Sequence, residues 1–93
     1  MEKLAEKYVT QASGNVVSQM GSEKVMFNTE KGKYYNLGET GGIIWELMGE
    51  PVQVKEIVLQ LRETYDISEA DCMYQVEEFL KKMREEDLIV LGE

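Results

Sequence analysis

Two periods divide the chain. Residues 16–37 hold short apolar runs separated by glycine-containing turns, with alternation of the two-residue kind that marks β-strands. Beyond residue 39 the apolar positions recur at spacings of three and four, the helical period. The first strand spans Val16 to Met20, and Gly21-Ser22 reads as a tight turn with glycine at its first central position. The return strand, Glu23 to Asn28, places Val25 and Phe27 on one face and Lys24, Met26 and Asn28 on the other. Thr29 to Gly32 forms a second turn, in which Gly32 can take the left-handed conformation. The third strand, Lys33 to Leu37, puts Tyr35 and Leu37 on one side and Tyr34 and Asn36 on the other. Short turns between these runs predict an antiparallel meander. Residues 4–12 read as an extended arm ahead of it.

The first helix is expected over Glu39 to Met48, with Gly38 as N-cap and Ile43, Ile44, Leu47 and Met48 as its apolar stripe. Gly49 and Pro51 end it. The second helix, Gln53 to Thr64, carries Val54, Ile57, Val58 and Leu61 at one-face spacing. The third begins at Ser68, which with Asp71 forms a capping-box-like pair, and ends near Glu86. Its apolar positions are Cys72, Met73, Val76, Phe79, Leu80 and Met83. Leu88 to Leu91 closes as a short strand or extended tail. The fold class is therefore α+β and winged-helix-like: a three-stranded antiparallel sheet followed by three helices. The sheet leaves Lys33 to Leu37 as an exposed edge beside an amphipathic helix, a standard site for an extended peptide.

Length adds a bound. With 93 residues the chain makes one domain, 1–93, with residues 1–12 read as a flexible arm. Charge removes two partner classes. There are 18 acids against 10 bases, a formal charge of −8, which repels nucleic acid and an anionic membrane surface. The third helix as a DNA-reading element is poor, since residues 69–86 are predominantly acidic. No apolar run can span a bilayer, and the charged start, Met1 to Lys7, is no signal peptide. With Cys72 as the lone cysteine, no internal disulfide forms, and a cytoplasmic location is expected.

Little points to chemistry. Histidine is absent, which removes the commonest general base and metal ligand. Without it Cys72 has no activating partner and reads as a small buried apolar residue. Asp66 to Asp71 faintly resembles a calcium loop but has Asp71 where the glycine belongs, so helix capping explains it. Gly38 to Gly42 lacks the lysine of a phosphate loop and reads as a helix N-terminus. No catalytic residue, metal site or cofactor is expected.

At Gly32-Lys33-Tyr34-Tyr35-Asn36-Leu37 and Thr40-Gly41-Gly42-Ile43-Ile44-Trp45-Glu46-Leu47 the sequence resembles the PqqD-like family, the leader-recognition domains of ribosomal peptide biosynthesis. Val54 to Ile57 and the Tyr65-Asp66-Ile67 break fit the same pattern. Gly14 to Ser18, Glu23 to Met26 and Gly32 to Gly38 look most like the stand-alone leader-binding proteins of lasso-peptide clusters. The resemblance implies a non-catalytic monomer that binds a precursor-peptide leader by strand addition to the third strand. Its partner would be a transglutaminase-like cysteine protease of the same pathway. The alternatives are a chaperone for a radical-SAM or other PQQ-type modifying enzyme and, behind it, a winged-helix nucleic-acid module. The expected peptide-binding residues are Val25, Phe27, Lys33, Tyr34, Tyr35, Asn36 and Leu37 from the strands, with Cys72, Gln75, Val76, Phe79, Lys82 and Met83 from the third helix.

Overall fold

A computed structural model describes residues 6–92. In chain order it contains β1 (Tyr8–Gln11), β2 (Asn15–Met20), β3 (Glu23–Asn28), β4 (Lys33–Leu37), α1 (Gly38–Leu47), β5 (Val52–Gln53), α2 (Val54–Thr64), α3 (Glu69–Glu85) and β6 (Ile89–Gly92). These form two three-stranded antiparallel sheets and three helices.

The expected meander is the sheet β2-β3-β4. Met20 lies opposite Glu23 across the Gly21-Ser22 turn, and Gly21 has φ +67°. At the second turn Asn28 is 3% exposed, and both polar atoms of its side chain are hydrogen-bonded. Its amide donates to Asn15 Oδ1 at 2.7 Å and its Oδ1 accepts the Lys31 N–H at 2.8 Å. The Gly32 N–H closes the turn on the Asn28 carbonyl at 2.9 Å, with φ +65° at Gly32.

The second sheet, in the order β5-β1-β6, corrects the expectation of a flexible arm over residues 8–11. This segment is the sheet's central strand, and Val9 is completely buried. It also completes two helix ends. The Gln11 N–H and the Thr10 hydroxyl both donate to the Met48 carbonyl, at 2.9 and 3.2 Å, and the Gln11 side-chain amide donates to the Trp45 carbonyl at 2.6 Å. The Val54 N–H, at the start of α2, donates to the Lys7 carbonyl at 3.1 Å. Orphan groups at helix termini need such partners. The remainder of the expected arm, residues 1–5, lies outside the described residues.

The helices follow their apolar stripes. Val54, Ile57, Val58 and Leu61 of α2 and Cys72, Val76, Leu80 and Met83 of α3 are all buried, joined by Ile44, Trp45 and Met48. Ser68 caps α3, accepting the Asp71 N–H at 3.2 Å. At α1 the cap is Leu37 rather than Gly38, which becomes the first helical residue with φ +73° and donates its N–H to Asn36 Oδ1 at 2.9 Å. The glycines of Thr40-Gly41-Gly42 serve close packing. A β-carbon on Gly41 would stand 2.7 Å from the Phe79 ring, and one on Gly42 would stand 3.0 Å from the Lys24 side chain.

The end of α3 is a glycine-free Schellman motif. The Leu88 N–H donates to the Met83 carbonyl at 2.9 Å and the Asp87 N–H to the Arg84 carbonyl at 3.1 Å, while Asp87 sits at φ +61°. This reversal buries Leu88 beside Met83 and sends the chain into β6.

Candidate functional site

β4 pairs with β3 alone among the described residues, so its other edge is open. Between that edge and α3 runs a groove of about 250 Å³, lined by Tyr35, Asn36, Leu37, Phe79, Lys82, Met83, Glu86 and Leu88. Leu37 and Met83 are buried and form its floor, while Tyr35 and Phe79 are half-buried and form its walls. The Phe79 ring sits over Gly41, so the first turn of α1 sets the depth of the groove at that end.

The other end is held by a polar latch. The Tyr35 hydroxyl donates to Glu86 Oε1 at 2.8 Å, and Lys33 Nζ lies 3.6 Å from the same oxygen. Lys31 Nζ donates to the Glu86 backbone carbonyl and lies 3.9 Å from the carboxylate. The hydrogen bond to Glu86, followed by burial and the charge of Glu86, raises the Tyr35 hydroxyl above the ordinary phenol range. The Tyr35 hydroxyl and then the Lys33 ammonium lower the Glu86 carboxyl below its ordinary range, with burial opposing them.

Of the residues singled out from sequence, Tyr35, Asn36, Leu37, Phe79, Lys82 and Met83 line one groove, with Lys33 at its latched end. Cys72 and Gln75 do not line this groove; they border a separate depression with Thr40, Leu61, Tyr65, Asp66 and Ile67, and Cys72 itself is buried. One expectation requires correction, and three further residues fall outside this groove. Val76 is fully buried in the core and presents nothing to a groove. Val25, Phe27 and Tyr34 lie on the opposite face of the sheet, because strand side chains alternate and Tyr35 and Leu37 take the groove side. Glu86 and Leu88 were missed. Their place depends on the Asp87 reversal, and no glycine marks it.

Chemically the site offers shape and a backbone edge. Burial pushes the Cys72 thiol up, only partly opposed by Arg62, and its Sγ lies 3.8 Å from the Val58 carbonyl. Among the described residues no cluster of metal-binding side chains occurs, and no helix is long and apolar enough to cross a membrane.

The family model for coenzyme PQQ synthesis protein D, PqqD, matches residues 23–89, most of the chain. The chain belongs to the PqqD family. No curated protein sequence matches it. Among solved structures, TbiB1 in complex with the TbiA(beta) leader peptide is similar at 22% identity and a TM-score of 0.78, over 86% of this chain and 93% of that one. Lasso peptide synthetase B1 complexed with the leader peptide is similar at 15% identity and a TM-score of 0.77, over 88% of this chain and 96% of that one. At these identities the likeness establishes the fold alone.

Proposed function

We propose that this PqqD-family chain is a non-catalytic, monomeric adaptor that captures the leader segment of a ribosomally synthesised precursor peptide. The leader adds antiparallel to β4, and alternate side chains enter the groove against α3. The adaptor then presents the precursor to a processing enzyme, a transglutaminase-like cysteine protease that removes a lasso-peptide leader. The carrying observation is the open β4 edge lying directly beside a groove of about 250 Å³ between that strand and α3. Family membership supports it, as does the fact that both similar structures are complexes with a leader peptide.

The adaptor contributes no chemistry of its own, because its single thiol is buried and its sequence holds no histidine. Rate enhancement comes from tethering, which raises the precursor's effective concentration near the partner's active site. A second reading, a chaperone for a PQQ-type modifying enzyme, is favoured by the description of the matching family. Both readings share the peptide site and differ in the partner.

Titration of the chain with labelled leader and core halves of a lasso-peptide precursor tests the site. Leader binding at micromolar Kd or tighter, about 8 kcal/mol, is expected, with little contribution from the core. Equal affinity for the two halves contradicts it. Mixing precursor with the protease and with the PQQ-type enzyme, each with and without the chain, distinguishes the partners.

A further inference from the structure

The face of the β2-β3-β4 sheet turned away from the groove is unusually apolar. An antiparallel sheet facing water normally presents polar residues there. Here Val16 is 56% exposed and Tyr34 74% exposed. The registers place these side chains in a cross-strand row: Val16 lies opposite Phe27, and Phe27 lies opposite Tyr34. The Phe27 and Tyr34 ring centroids are 4.7 Å apart with the planes tilted by 48°. This row runs to the open edge of β4 and stops at Tyr34. The next row, Ser18, Val25 and Asn36, ends differently, because the Asn36 amide is engaged by Glu23 Oε1 at 3.2 Å.

We infer that the outer row is a second specificity subsite, which takes one outward-facing aromatic or β-branched side chain of the bound peptide, opposite Tyr34. The inference rests on the strand-addition reading above and deepens it. A strand added to β4 continues every row of the sheet by one residue, and its side chains alternate between the two faces. The peptide residues opposite Tyr35 and Leu37 enter the groove. The residue opposite Tyr34 cannot, and it extends the row Val16-Phe27-Tyr34 instead. In an antiparallel peptide, read from its N-terminus, the pattern is groove residue, free residue, groove residue, outward aromatic or β-branched residue. The free position lies opposite Asn36. The peptide is thus read on both faces of its own strand, at one outward position only.

A display library of short linear peptides, randomised at every position, provides the test. It is selected in parallel against the wild-type chain and Tyr34→Thr, with a thermal melt of each checking that the exposed substitution leaves the fold intact. Wild-type selection should return the four-position pattern. Tyr34→Thr should keep both groove preferences and lose the outward one. Peptides selected on the wild type should bind Tyr34→Thr roughly three- to tenfold more weakly, the size of an aromatic cross-strand pair. If selected peptides depend on β4 and the groove yet show no outward preference and bind both proteins equally, the inference is overturned and strand addition stands. If no peptide is enriched, or binding survives disruption of the β4 edge, both fall.

Discussion

α3 is flanked on both sides by edge strands, β4 and β6, and the two flanks are unlike. On the β4 side the helix presents Phe79 and Met83, with Lys82 and Glu86 beside them, to a groove that also holds Leu37 and Leu88. On the β6 side the depression holds Leu80 and Leu91 but is ringed by Glu77, Glu78, Lys81 and Arg84. Charged side chains around an edge discourage another strand from pairing there, whereas an apolar trough beside an edge rewards it. An open edge alone therefore does not make a peptide site. In the strand-addition proposal, the side chains of the neighbouring helix select the β4 edge over the β6 edge.

The comparison is broken most severely by removing the β4 edge. Backbone groups of successive strand residues face opposite edges, so proline at one of Tyr34, Tyr35 and Asn36 removes a donor aimed at the ligand. That variant should abolish leader binding in titration while retaining its helical circular dichroism. Val90→Lys, at an exposed position on β6, should leave binding unchanged.

Changing the groove without touching the edge should have a smaller effect. Phe79→Ala should weaken binding by roughly 1–3 kcal/mol. Because Phe79 is only half-buried, a thermal melt should show less than the roughly 3–5 kcal/mol cost of deleting a fully buried ring. Gly41→Ala approaches the same ring from below. Its new methyl would lie 2.7 Å from Phe79 Cε1, so the ring must move into the groove. Binding should fall, and a thermal melt should show an overpacking cost of roughly 1–3 kcal/mol.

The latch gives a pH signature. The Glu86 carboxyl is lowered in the folded protein, so its contribution is present above the ordinary carboxylate range and is lost as pH falls through the lowered value. The Tyr35 hydroxyl is raised, so its contribution is present below the ordinary phenol range and is lost as pH rises through the raised value. Glu86→Gln should flatten the acid limb of a stability-against-pH curve. The smallest effect belongs to Asp87→Gly, which relieves the left-handed strain at φ +61°. It should stabilise the fold by up to about 1 kcal/mol without altering affinity.

Most of this fold was legible because it is locally encoded. The meander announces itself through alternation and two glycine turns, and α2 and α3 through their stripes and the Ser68 cap. The second sheet was not legible. Its pairings join residues 8–11 to residues 52–53 and 89–92, and β5 is too short to show a period. Half of the groove could be read from residues 33–37 and the exposed flank of α3. The other half could not, because Asp87 makes a turn that glycine usually makes. Alternation separated the two faces of β3 and β4 correctly, but it does not say which face is inward. Met26 decides that, being fully buried opposite Tyr35.

Hydrogen exchange of the whole chain with and without the leader peptide tests the central claim most directly. Strand addition predicts new protection of outward-facing backbone amides within Lys33–Leu37, with the Ile89–Gly92 edge unchanged. Protection confined to β6, or leader binding with no added protection along β4, would contradict it.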